Sequence, residues 1–255
     1  MELLKYRELL LNITMREIRV RYKQSLLGIF WSVLQPLLMM LIFTAVFAGF
    51  AKIPSDGIPY PLFSYTALLP WTFFSTALSF AIPSLVANAN LLTKIYFPRE
   101  IFPIASILTA SVDFCIAATL FVALLLYYGV TLTTTAFYAI PILLVQIILT
   151  LGISFFASAA NVYYRDIKYA LPFFIQISMY LSPVIYPLSS VPERYRSLYL
   201  MNPMASIISG YRRVLLLGQS PDFQFLGLAA LVAIATLLVS YKYFKWVEMS
   251  FADKI

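Results

Sequence analysis

The chain has 255 residues, of which 62% are hydrophobic and only 11% charged, with a mean hydropathy of +0.86. That balance excludes an ordinary soluble domain and points to several spans in one membrane domain. The net charge of +7 fits the cytoplasmic loops of a polytopic protein better than a nucleic-acid partner. With no histidine, His-based catalysis and His–metal ligation are excluded, and the single Cys115 excludes an intrachain disulfide or a multi-Cys metal site.

Residues 1–24 read as an interfacial helix. Leu11, Met15, Ile18 and Tyr22 fall on one narrow face, and Arg16, Arg19 and Lys23 line a neighbouring one. A basic amphipathic helix of this kind lies on a membrane surface. It is either a plain anchor or a docking surface for a cytoplasmic partner, and the pattern alone does not separate the two. Arg16, Arg19, Arg21 and Lys23 sit within eight residues, and no formal charge follows from Leu26 until Lys52. A helix needs about 20 apolar residues to cross the hydrocarbon core, and a basic flank fixes its start to the cytoplasmic side. The apolar segment starts too late and runs too long for a cleavable signal peptide.

Six spans are expected in chain order: 28–50 with Pro36 inside it, 62–86 with Pro70 and Pro83, 101–128, 136–162, a short proline-rich 170–188, and 225–246. The loops between them carry turn formers or charge, with 88–100 a polar amphipathic loop holding Lys94, Arg99 and Glu100. Residues 198–217 are apolar in patches but hold the adjacent Arg212 and Arg213. Two arginines in mid-membrane facing lipid would cost several kcal/mol. The stretch therefore reads as a re-entrant or interfacial hairpin within an external region, 189–224; its arginines are expected to snorkel to the aqueous interface, with pairing to lipid phosphate or to an anionic substrate group as the other readings.

Of the 18 basic residues, this topology assigns thirteen to the cytoplasm and five outside. The bias places both termini in the cytoplasm. The fold class expected is thus an all-α polytopic membrane protein forming one domain, 1–255.

There is no G-x-x-x-x-G-K-[ST] phosphate loop, so any ATP hydrolysis belongs to another chain. Nor do the loops show a paired-carboxylate acid–base couple, and no metal ligands are predicted. A membrane enzyme acting on polyprenyl-phosphate sugars needs such groups. A passive channel or ion-coupled carrier would be expected to show charged or repeated motifs in its spans. Asp113 is the only acidic residue well inside a span. It is expected to be a structural carboxylate against a neighbouring helix, with a proton relay as the other reading.

Five segments together carry a resemblance: REIRVRYKQSLLGIFWSVLQPLLMMLIFTAVF at 16–47, NLLTKIYFPREIFP at 90–103, NVYYRD at 161–166, SPVIYP at 182–187 and NPMASIISGYRRVLLL at 202–217. In this order they resemble the ABC-2 type permeases that export polysaccharides. The resemblance implies a homodimer paired with two copies of a separate ATP-binding subunit, which holds ATP and Mg while this chain binds no cofactor. It implies a lipid-linked substrate, with O-antigen first and teichoic acid or capsular polysaccharide as alternatives, in the cytoplasmic membrane. It also places Arg16, Arg19, Arg21 and Lys23, with Lys94, Tyr96, Arg99 and Glu100, at the interface with that ATPase.

Aromatics make up 16% of the chain, and some are expected to offer ring faces to a passing sugar chain. Phe43, Phe47, Phe173 and Tyr180 are the candidates, although packing is the commoner role for any one ring. The external hairpin, with Pro203, Arg212 and Arg213, is the expected gate.

Overall fold

The structure is a computed structural model and describes residues 5–23, 27–93 and 97–254. Among these residues it is all-helical, with no strands. Helix α1 (Arg7–Tyr22) comes first. A 3-10 turn at Gly28–Phe30 leads into α2 (Trp31–Phe43), which widens into π-helical turns over Thr44–Phe50. The following loop reverses through Lys52, Asp56 and Gly57, all with positive φ. Helix α3 (Tyr60–Ala81) starts with Pro61 in its first turn, where a missing N–H is harmless.

The short helices α4 (Ser84–Ala87) and α5 (Ala89–Leu92) then bend around Asn88, where the sequence pattern suggests only a loop. Helix α6 (Ile101–Tyr127) is followed by a 3-10 turn (Thr134–Tyr138) and α7 (Ala139–Tyr163). Helix α8 (Ile167–Tyr180) ends in a proline-rich turn, and the short pair α9 (Glu193–Leu200) and α10 (Pro203–Leu215) follows. Helix α11 (Phe223–Val247), capped by the Asp222 carboxylate, and the terminal α12 (Phe251–Lys254) complete the fold.

Helix α3 is the centre. Sixteen of its 22 residues are buried, against α2, α6, α7, α8 and α10. Tyr65 donates a hydrogen bond to the Ala117 carbonyl at 2.9 Å, and the buried Gln146 amide donates to Pro70 at 2.7 Å. These two buried polar side chains are thus satisfied where water cannot reach them. Helices α7 and α11 pack against each other extensively. A Cβ built on Gly152 would lie 2.8 Å from the Leu237 backbone nitrogen, so only glycine permits this approach.

Among the described residues, four stretches are long and apolar enough to cross a membrane: Gly28–Phe50, Ile101–Tyr127, Thr134–Tyr163 and Phe223–Ser250. They match the expected first, third, fourth and sixth spans. The expected second span is α3, long enough but diluted by Ser64, Thr66, Thr72, Ser75, Thr76 and Ser79. The expected fifth becomes α8, whose 14 residues rise only about 21 Å, short of the ~30 Å core.

Candidate functional site

The open face of α3 builds the most distinctive feature of the molecule. Apart from Pro61 at its start, its only residues that are not buried are Thr72, Ser75, Thr76, Ser79 and Phe80. The first four follow i, i+3, i+4, i+7 spacing and so form one stripe. Helix α2 contributes Ser32 and Gln35 opposite them, and α6 presents Ala110, Asp113, Phe114 and Ala117 at the same spacing. The result is a 460 Å³ groove.

Its hydroxyls are oriented. Thr72 donates to Leu68 at 2.7 Å, Ser75 to Thr72 at 3.2 Å and Ser79 to Ser75 at 2.7 Å. With their protons turned back onto the helix, their lone pairs remain for an incoming donor. The groove therefore presents hydrogen-bond acceptors along its α3 face, with the charged Arg21 and Asp113 also in its lining.

At one end lies the C-terminal turn of α1. Arg21 forms an ion pair with Asp113, and the two side chains are only 15% and 17% exposed. Tyr22 also donates to Asp113, and Ser32 donates to the same carboxylate oxygen at 3.1 Å. The Arg21 guanidinium lies 3.9 Å over the Phe80 ring, a favourable cation–π arrangement. One turn earlier on α1, Glu17 accepts from Ser106 at 3.3 Å and Thr109 at 3.5 Å. Burial pushes the Glu17 carboxyl above its ordinary range, against the pull of those hydroxyls and of Arg21 and Arg16. Burial likewise raises the Tyr22 phenol, and its bond to Asp113 adds to the rise.

The stripe of α1 packed on the bundle is thus Ile13, Thr14, Glu17 and Arg21. Leu11 and Met15, half of the apolar face read from spacing, remain 57% and 53% exposed. Spacing finds an apolar stripe but misses this one, because its inward members are polar or charged and depend on α6 for partners.

The residues expected to meet an ATPase divide into two groups. Arg16, Arg19 and Lys23 are exposed, with Arg16 also donating to Asn88. Arg21 and Glu100 turn inward. The Glu100 carboxylate, 2% exposed, is paired with Lys245 at 2.8 Å. Arg99 is partly buried, 5.8 Å from the Phe251 ring, and its Nη1 is buried with no hydrogen-bond partner among the described residues. Lys94 and Tyr96 lie outside the described residues.

The four aromatics proposed for a sugar path are not brought together around the groove. Phe43 is buried, edge-on to Phe47 at 5.3 Å, while Phe173 and Tyr180 stand exposed on α8. The rings that do line the groove are Trp31, Tyr22, Phe73, Phe80 and Phe114. The Ser/Thr spacing on α3 was the available signal for this groove. No spacing links Arg21 to Asp113, which only tertiary packing brings into contact.

At the far side, Pro203 opens α10 next to Asn202, whose side chain accepts from the Met204 N–H at 3.1 Å. Arg212 requires a correction, since it does not snorkel. It is 7% exposed and donates to four backbone carbonyls, those of Phe63, Pro183, Val184 and Tyr186. It also lies 3.6 Å over the Phe63 ring. The proline-rich turn after α8 exposes carbonyls with no helical donors, and the planar guanidinium collects them. Arg213, partly exposed, donates to the Ser220 carbonyl at 3.0 Å.

Comparison with known proteins bears on what this arrangement is for. The chain is 31% identical to the O-antigen export system permease protein RfbA of Myxococcus xanthus, over 100% of this chain and 98% of that one. It is 29% identical to the RfbA of Klebsiella pneumoniae, over 96% and 94%. The polysialic acid transport protein KpsM of Escherichia coli is 24% identical over 88% of each chain. The family profile described as ABC-2 type transporter matches residues 8–216. The chain belongs to the ABC-2 type transporter family.

Proposed function

We propose that this chain is the membrane-embedded permease subunit of an ATP-driven exporter of lipid-linked polysaccharide, with O-antigen as the first substrate class. The observation that carries the reading is the α3 groove. Its hydroxyls spend their protons on their own helix and offer acceptors along one face, which suits sliding contact with a sugar chain. Relatives named for O-antigen and polysialic acid transport support the same class and keep capsular polysaccharide as the runner-up. Teichoic acid is the third substrate class.

In this reading the chain crosses the cytoplasmic membrane six times, with both termini cytoplasmic. The α3 helix crosses with its polar face on the groove, and α8 crosses with the turn and α10 that Arg212 ties to it. A second copy closes the open side of the groove. Two copies of a separate ATPase, holding ATP and Mg, dock on the exposed Arg16, Arg19 and Lys23 and on the 88–100 segment.

The test is deletion of the chain in its own cells, scoring surface polysaccharide with antibody and the lipid-linked precursor by extraction. Loss of surface polymer with intracellular accumulation, restored by the intact gene, is expected. Unchanged surface polymer would overturn the proposal.

A further inference from the structure

Two cavities meet at a single pair of side chains. The hydroxyl-lined groove and a second cavity of 540 Å³ share Arg21 and Phe80 and no other lining residue. The stacked guanidinium and ring are therefore the partition between them. The second cavity opens beside the α3–α4 junction, bounded by Arg16, Glu17, Ser84, Asn88 and Ser106.

The charge in this second cavity is arranged for an anion. Two guanidinium groups line it, against one carboxylate, and Glu17 is turned onto the hydroxyls of Ser106 and Thr109. Arg21 is held by Asp113 from the groove side. A guanidinium fork fits phosphate oxygens in a bidentate manner, and a charged acceptor roughly doubles the strength of such bonds. A phosphate carrying more charge than a carboxylate, arriving from the other side, competes directly for the same N–H groups.

We infer that Arg21 is the recognition residue for the phosphate ester of a lipid carrier. The phosphate enters the second cavity, takes the guanidinium from Asp113, draws it off Phe80 and joins the two cavities into one path. Asp113 is then the competitor that keeps the partition closed when no substrate is present, and Tyr22 and Ser32 hold that carboxylate in place. The inference rests on the polysaccharide-export reading and adds where the carrier's headgroup is recognised.

Trp31 lines the groove next to this pair and reports on it. The experiment uses the full chain in phosphatidylcholine nanodiscs, with Trp71→Phe and Trp246→Phe leaving Trp31 as the sole indole. Undecaprenyl phosphate is titrated against Trp31 fluorescence, beside undecaprenol, inorganic phosphate and phosphatidylglycerol. A saturable change with undecaprenyl phosphate alone is expected. The apparent Kd rises tenfold or more in Arg21→Gln and falls severalfold in Asp113→Asn. That opposite pair of shifts is the signature, because a merely structural ion pair weakens binding alike from either side.

Arg21→Lys, which keeps the charge and loses the fork, serves if Arg21→Gln fails to fold, and a severalfold rise in Kd is expected. Equal response to undecaprenol, or Kd unchanged in both Arg21 variants, overturns the inference. So does weakening in Asp113→Asn. A matching response to inorganic phosphate or to phosphatidylglycerol overturns the carrier assignment, pointing instead to free phosphate or to bulk anionic lipid. Surface polysaccharide scored in cells of the parent strain separates the two readings. Normal chain-dependent export with Arg21-independent binding sinks this inference alone.

Discussion

Lys245 on α11 reaches Glu100 at the start of α6, Nζ to Oε2 2.8 Å, and the same ammonium meets Glu248 at 3.2 Å. One cation thus serves two carboxylates, the first of them almost wholly buried, and ties the last long helix to the segment that leads into α6. The two carboxylates are unequally dependent on it.

Removing the cation strands both acids, whereas removing Glu100 leaves Lys245 with Glu248. Breaking a buried pair from the side that leaves a buried charge unpaired costs about 3–5 kcal/mol. Lys245→Met is therefore expected to lower stability by about 3 kcal/mol and Glu100→Gln by about 1 kcal/mol. Thermal unfolding of the two variants in the same detergent checks the order, and equal losses would contradict it.

Gly152→Ala places a methyl group 2.8 Å from the Leu237 backbone nitrogen. Backbone cannot give way as a side-chain tip can, so α7 and α11 must separate. The expected cost is about 1–3 kcal/mol. Gly227→Ala, at a position with nothing within 4 Å of the added atom, is the control and is expected to be neutral or slightly stabilising through helix propensity.

Arg212 holds four carbonyls from two separate segments, a task for a planar fork and not for an ammonium. Arg212→Lys should lose about 2–3 kcal/mol, from carbonyls left unsatisfied in a dry site. Arg213→Lys, whose single carbonyl bond lies at the surface, should lose little. Limited proteolysis near 188–192 gives a local readout, since release of the turn after α8 accelerates cleavage only in the first variant.

Glu17 sets a pH dependence. Its carboxyl is raised from the ordinary 4.5 chiefly by burial, so the folded state binds this proton more tightly than the unfolded chain does. Its contribution is favourable below 4.5 and is lost as pH rises through the raised folded value. Glu17→Gln keeps an acceptor for Ser106 and Thr109 and removes the titration. The variant should match the parent near pH 4 and melt at a higher temperature near pH 8. A gap that is constant across pH would count against this origin.

Changing Arg16, Arg19 and Lys23 together to Glu tests the docking surface. All three are exposed in the fold, so unfolding temperature should stay within a few degrees while co-purification with the proposed ATPase subunit is lost. Retained co-purification would move the docking site elsewhere.

Hydropathy over long windows was enough to read four candidate spans among the described residues, because a lipid-facing helix must be apolar along its whole length. The span expected at 62–86 is α3, whose hydroxyls toward the groove dilute its hydropathy. The span expected at 170–188 is helical only as far as Tyr180, with Pro183 and Pro187 in the turn that follows. Basic residues before the first span, the missing phosphate loop and five ordered motifs were legible as residues and gave the transporter family.

Which charges face outward was not legible. Arg21 and Arg16 look alike in the sequence, as do Arg212 and Arg213, yet in each pair one is folded inward. Burial of a guanidinium depends on acceptors supplied from distant positions, Asp113 for Arg21 and the carbonyls near 183–186 for Arg212, and only packing brings these together. The sequence by itself determined that this chain is a membrane protein of the ABC-2 type transporter family. Tertiary structure decided that its polar residues form one groove, closed at one end by Arg21 on Phe80.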